Sequence, residues 1–136
     1  MPRSFDLFFE TIELWLRAGV SLIAEYGFAR WAEPRLRALV PLARAVLLYC
    51  DTPDEVAAQR FIARERVNPR ARPDILAGIV ERMERGTYDW RTADPFDVGA
   101  PMLRVDTTRG YAPELDAIVA FCRGAGRAEP APADPR

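Results

Sequence analysis

The sequence predicts an α/β fold built on a short parallel sheet, and three observations carry that prediction. Short, largely apolar runs, Val20–Ala24, Ala45–Cys50 and Met102–Asp106, alternate with longer segments whose apolar residues recur at helical spacing. The runs are unbroken rather than alternating, the pattern of strands covered on both faces in a parallel sheet. Each run also ends in an acid or a polar turn: Glu25, Asp51-Thr52 and Asp106-Thr107-Thr108. Open α/β sheets bind ligands outside the carboxyl ends of their strands, so these residues mark the expected functional edge.

The elements follow in order. Phe5, Phe8, Phe9, Ile12, Trp15 and Leu16 fall on one face of a first helix, with Ser4 as N-cap and Gly19 as terminator. Val20–Ala24 is too short for a helix and reads as the first strand. Pro34 suits a helix start and Pro41 limits that helix, which carries Leu36, Leu39 and Val40 on its face. After the second strand, Thr52 and Glu55 have capping-box spacing around Pro53, which predicts a helix from Pro53 to Val67. Asn68-Pro69 breaks it. Pro73 opens a fourth helix with Leu76, Ile79, Val80 and Met83 on one side, ended by Gly86. The stretch "TYDWRTADPFDVGAP" has no period and reads as a loop whose aromatic residues pack down. Met102–Asp106 is the third strand, and Pro113 starts a last helix. One domain is expected over residues 1–123, with residues 124–136 a disordered Pro- and Ala-rich tail.

Composition removes several function classes. The net charge is −1, which argues against nucleic-acid or anionic-membrane partners recruited by bulk charge. No run approaches the roughly 20 apolar residues of a membrane span, and the first residues lack a basic and apolar leader, so a cytoplasmic location is expected. Histidine is absent and Cys50 and Cys122 stand apart, which excludes a zinc site of ordinary ligand type; the two thiols read as small buried hydrophobes. No metal-ligating residues are assigned. All 19 basic residues are arginine.

Three groups of residues can carry chemistry. "RFIARERVNPRAR", residues 60–72, bears a net +4 in a chain of net −1. Arg60 and Arg64 are four apart on one helix face, so their guanidinium forks can converge on phosphate oxygens, while Arg66, Arg70 and Arg72 run into the following break. The same residues also read as a solvated helix face paired with Asp54, Glu55 and Glu65. Glu25 can hold Mg²⁺ through water or orient a substrate hydroxyl, or equally cap the next segment or pair with an arginine. Asp106-Thr107-Thr108 reads as a strand-end turn or as a ligand-binding edge. A phosphate cradle of the form GxxxxGK[ST] is absent from the 136 residues.

In order and spacing, "FFETIELWLRAGVSLIAEYGF", "VLLYCDTPDEVAAQRFIARER" and "MLRVDTT" resemble the later part of small P-loop kinases. The similar group is the AAA-like ATP-binding proteins related to zeta toxins and chloramphenicol phosphotransferase, and the likeness spans about Phe5 to Arg123. The resemblance implies a three-layer αβα fold, ATP and Mg²⁺ as cofactors, a nucleotide and a small molecule as partners, and transfer of the γ-phosphate between them. It implies catalytic roles for Glu25, Arg60 and Arg64, and nucleotide contacts for Arg60, Arg64, Arg66, Asp106, Thr107 and Thr108. A His-Pro-Asp-like turn of the family would fall at Arg72-Pro73-Asp74, where the histidine is replaced. Relatives carry a central strand and the glycine-rich loop ahead of this region, so the chain is expected to be truncated, short of kinase competence, and without its first, central strand. The alternative is a non-catalytic interaction protein on the same scaffold. Val20–Ala24 and Ala45–Cys50 are then expected to pair directly, or a homodimer to form through their exposed edges. The upstream reading frame tests the truncation: an in-frame GxxxxGK[ST] about 30 to 40 codons before Met1 is the expected finding, and unrelated sequence there counts against it.

Overall fold

Fifteen residues, Arg3–Arg17, form α1 and present Phe9 and Ile12 to the interior. The helix begins one residue before Ser4, so that serine lies inside the first turn rather than capping it. The computed structural model describes residues 3–27, 29–67, 73–90 and 94–124. At the far end of α1 the expected terminator acts as predicted: Gly19 adopts φ +75°, its N–H donates to Leu16 O at 2.9 Å, and Val20 N–H donates to Trp15 O at 3.0 Å. That pair of bonds is a Schellman motif, and only glycine enters it without a Cβ penalty.

The chain then folds back along α1. A 3₁₀ turn at Arg30–Ala32 leads into α2, Glu33–Leu39, with Pro34 in its first turn, and Pro41 falls in a second 3₁₀ turn, Val40–Leu42. Proline has no N–H to extend an α-helical ladder, so the helix stops there. Phe9, Ile12, Ala32 and Leu39 form a buried cluster covered by Phe8, Leu16, Trp31, Leu36 and Leu42. An ion pair between Asp6 and Arg35 fastens α2 to α1 at the rim.

The sheet is β1, Leu47–Asp51, and β2, Met102–Asp106. They pair in parallel with Leu47 opposite Met102 and Asp51 opposite Asp106. Partners in register share a face, so Leu47, Tyr49, Asp51, Met102, Arg104 and Asp106 lie on one side, and Leu48, Cys50, Leu103 and Val105 on the other. Between the strands run α3, Asp54–Val67, and α4, Pro73–Glu84, and α5, Leu115–Gly124, follows β2. The α4 terminus repeats the Schellman pattern, with Gly86 at φ +66°, Gly86 N–H donating to Met83 O and Thr87 N–H to Arg82 O. Phe96 and Val98 on the loop before β2 are buried, as are Val105 and Ile118. Tyr88 and Trp90 meet edge to face at 4.7 Å.

The mixed α/β class with a parallel sheet therefore holds, with three corrections. Among the described residues the sheet has two strands, not three, because Val20–Ala24 joins no ladder. It does not pair with Ala45–Cys50 either: β1 takes β2 as its neighbour, and the first-strand candidate lies against α1. An apolar run becomes a strand only where another edge accepts its N–H and C=O groups, and the Gly19 turn carries this run along its own helix instead. The cysteines are corrected as well, since Cys50 is exposed and Cys122 only partly covered. Gly124, expected in the disordered tail, instead closes α5, while residues 68–72, with Arg70 and Arg72, residues 91–93 and the rest of the expected tail, 125–136, lie outside the described residues.

The packing assigns unequal weight to two α1 residues. Replacing Phe9 with alanine is expected to lower the unfolding free energy by about 3 kcal/mol in urea titrations. Leu14, 69% exposed on the same helix, is expected to tolerate alanine within about 0.5 kcal/mol.

Candidate functional site

Parallel pairing brings the carboxyl ends of β1 and β2 side by side, and the chain departs from both ends into polar turns. Thr107 locks the two ends together: its N–H donates to Asp51 O at 2.7 Å and its hydroxyl donates to the same oxygen at 3.0 Å. One residue on, the Thr108 N–H donates to Asp106 Oδ1 at 2.7 Å, an Asx-type turn that needs the short aspartate side chain. The Thr52 and Thr108 hydroxyls meet at 3.2 Å. Thr52 thus faces the opposite strand end, although its spacing to Glu55 suggested a helix cap.

The loop after β2 closes on itself. Asp106 N–H donates to Ala112 O at 2.8 Å and Ala112 N–H returns to Asp106 O at 2.9 Å, making an antiparallel bridge around Thr107–Tyr111. Gly110 adopts φ +123° in that loop, a conformation that side chains resist. Pro53, Asp106, Thr108, Arg109, Gly110, Tyr111 and Ala112 line a hollow of about 370 Å³. That volume falls at the small end of the range for small-molecule sites.

Among the described arginines of α3, Arg60 reaches this edge. From α3 its Nη2 donates to Thr108 O at 2.8 Å, so the guanidinium sits on the rim of the closed loop. Arg64 points elsewhere, with Nε 3.4 Å from Glu65 Oε1 and its guanidinium 5.1 Å from the Phe61 ring centre. Arg66 joins Glu84 at 2.8 Å and ties α3 to α4. Spacing on the helix was read correctly, but neighbouring partners draw the three guanidiniums apart. Glu25 lies outside this edge, lining an apolar groove with Leu7, Phe8, Ile12 and Trp15 of α1. The structure thus brings together Arg60, Asp106, Thr107 and Thr108, and leaves Glu25, Arg64 and Arg66 apart from them.

Two residues at the edge, Tyr49 and Arg104, carry no expectation from the sequence. Arg104 Nε donates to Asp51 Oδ2 at 2.6 Å and its guanidinium lies 5.8 Å from the Tyr49 ring centre. An arginine at an alternate position of an otherwise apolar strand is the signal that could have found it, because period two places it beside Tyr49 and Asp51 of the neighbouring strand. Its hydrogen bond to Asp51, then the charge of that carboxylate, holds Arg104 protonated beyond its usual range. Burial, and then the Asp51 charge, pushes the Tyr49 phenol up, while Arg104 opposes the shift.

Charge at the loop entrance is set by Asp106. Its carboxyl is held below the ordinary aspartate range, chiefly by the Thr108 hydroxyl and then by the Thr108 N–H, with Arg60 adding a smaller attraction. Among the described residues no three His, Cys, Asp or Glu side chains gather as a cation site, and no helix is long and apolar enough to cross a membrane. No family model, curated protein or solved structure matches the chain.

A depressed carboxyl pKa stabilises the fold at pH above the unfolded value, and that contribution is lost as pH falls through the folded value. In a carboxyl-carbon NMR titration the Asp106 midpoint is expected below the ordinary aspartate value. Thr108→Val, which removes the hydroxyl, is expected to move the midpoint upward.

Proposed function

We propose that this chain is the nucleoside-holding part of a P-loop kinase-like ATP-binding protein, a class that transfers the γ-phosphate of ATP to a small molecule. The observation that supports the reading is the reach of Arg60 from α3 to the Thr108 carbonyl, at the carboxyl ends of two parallel strands. An α/β sheet offers its ligand site at that edge. The hollow there combines hydroxyls, a glycine that leaves backbone open to approach, and the exposed ring of Tyr111. Its volume suits a base and a sugar better than a whole nucleotide.

The residues fit one end of ATP only. Asp51 is engaged by Arg104 and Asp106 accepts the Thr108 N–H, and among the described residues no three His, Cys, Asp or Glu side chains gather there to seat Mg²⁺. Phosphoryl transfer relies on positioning and charge stabilisation by a phosphate loop and its metal. The 136 residues contain neither GxxxxGK[ST] nor any lysine. Transfer itself is therefore assigned to no residue of this chain. A non-catalytic interaction protein is the second reading, favoured by the exposed apolar segment Val20–Ala24.

Titrating ATP into isotope-labelled chain separates the two. Weak binding, with a Kd of about 1 mM, is expected to shift the amide signals of Thr52, Arg60 and residues 106–112 and to disappear in Arg60→Ala. Unmoved signals at that loop at ten times that concentration favour the interaction protein. Stoichiometric binding of MgATP at about 1 µM would show instead that the site is complete.

A further inference from the structure

Two backbone edges of this chain, besides the outer edge of β2 that ends in the Asp106–Ala112 bridge, have no strand partner among the described residues. On β1, Leu47 N–H donates to Pro101 O and Asp51 O accepts from Thr107 N–H, so the odd-numbered residues face β2. In a parallel ladder alternate residues aim their groups oppositely, and Leu48 and Cys50 therefore direct N–H and C=O outward. Both side chains are exposed too. The second edge is Ser21–Glu25, outside any helix and without a backbone-to-backbone hydrogen bond among the described residues.

That segment is held ready rather than loose. The Gly19 turn fixes its start, with Val20 bonded to Trp15, and just past its end the Tyr26 ring lies against Phe5 at 5.4 Å and Phe8 at 5.7 Å. The helix rises about 15 Å between Phe5 and Trp15, and the six steps from Val20 to Tyr26 reach about 20 Å at full extension, so the segment runs back along α1 between its two anchors. Between these anchors Ile23 is 98% exposed. A segment anchored at both ends loses less entropy on pairing than a free one. Within one chain the two edges do not meet, since Ser21–Glu25 lies along α1 and β1 pairs with β2.

Charge selects both the occupant and the strand direction. Among the described residues neither Glu25 nor Arg44 has an ion-pair partner, and the runs Ser21–Ala24 and Ala45–Cys50 beside them are uncharged. We propose that the chain forms a two-fold dimer in which Ser21–Glu25 of each copy adds antiparallel to the outer edge of β1 in the other. Ser21 then faces Cys50, Ile23 covers the exposed Leu48, and Glu25 faces Val46 with Arg44 diagonal to it on the same side. Parallel addition would instead bring Glu25 toward Asp51, a like charge. Reciprocal exchange satisfies Ser21–Glu25 and the outer edge of β1 in both copies, so this pairing closes at two. This proposal is independent of nucleotide binding.

Sedimentation equilibrium of the full chain tests it, with circular dichroism to verify folding of each variant. The expected species at high concentration has twice the 15.3 kDa chain mass. Ile23→Lys alters a side chain that touches little within one copy, and is expected to yield folded monomer. Glu25→Arg and Arg44→Glu are each expected to weaken association about fivefold, because every substitution acts twice in a two-fold dimer, and together to restore it. A monomer at every concentration, open-ended aggregation, a dimer indifferent to Ile23→Lys, or one tightened by Glu25→Arg alone would each overturn the proposal.

Discussion

The in-register parallel pairing of Leu47–Asp51 with Met102–Asp106 is the constraint on which the candidate site depends. A shift of one residue would move Arg104 to the opposite face from Asp51 and separate Thr107 from the Asp51 carbonyl. The strands are far apart in sequence, and the intervening chain must close a long loop before any of these bonds forms. The double contact of Thr107 on one carbonyl oxygen marks where that closure ends. Beyond it the loop folds on its own bridge, and Arg60 meets it from α3.

The N-terminal part of the chain obeys a different logic. Its order comes from aromatic packing, with Phe5 and Phe9 set edge-on to Trp31 at 4.8 and 6.3 Å, rather than from a ladder of main-chain bonds. Rings meeting edge to face add to the burial of their area. Thus α1 gathers both α2 and the Val20–Tyr26 segment without asking the latter for a strand partner.

Local features were the legible ones. Gly19, Pro41 and Gly86 end helices for reasons of backbone geometry that require no knowledge of distant residues, and the elements at Asp54–Val67 and Met102–Asp106 fall where Pro53 and the apolar run put them. Val20–Ala24 was illegible because an apolar run reports hydrophobicity, while a ladder needs a second edge supplied by tertiary structure. The exposure of Cys50 follows from the same ignorance of neighbours. At the site, the acid and hydroxyl residues at the strand ends were readable from their position. The arginine helix was readable as to face but not as to target: Glu65, Phe61 and Glu84 claim Arg64 and Arg66, and only Arg60 arrives at the edge.

Among the described residues no large side chain is fully buried and the buried apolar residues are few. Such an interior leaves a small margin between folded and unfolded chains, because burial must offset nearly the whole loss of conformational freedom. Mass action then acquires unusual weight. Anything that binds the folded form stabilises it by about 2.7 kcal/mol at a hundredfold excess over its Kd, a sizeable share of so narrow a margin. For this chain, the melting temperature is a property of the solution as much as of the sequence, rising with whatever occupies its uncovered surfaces.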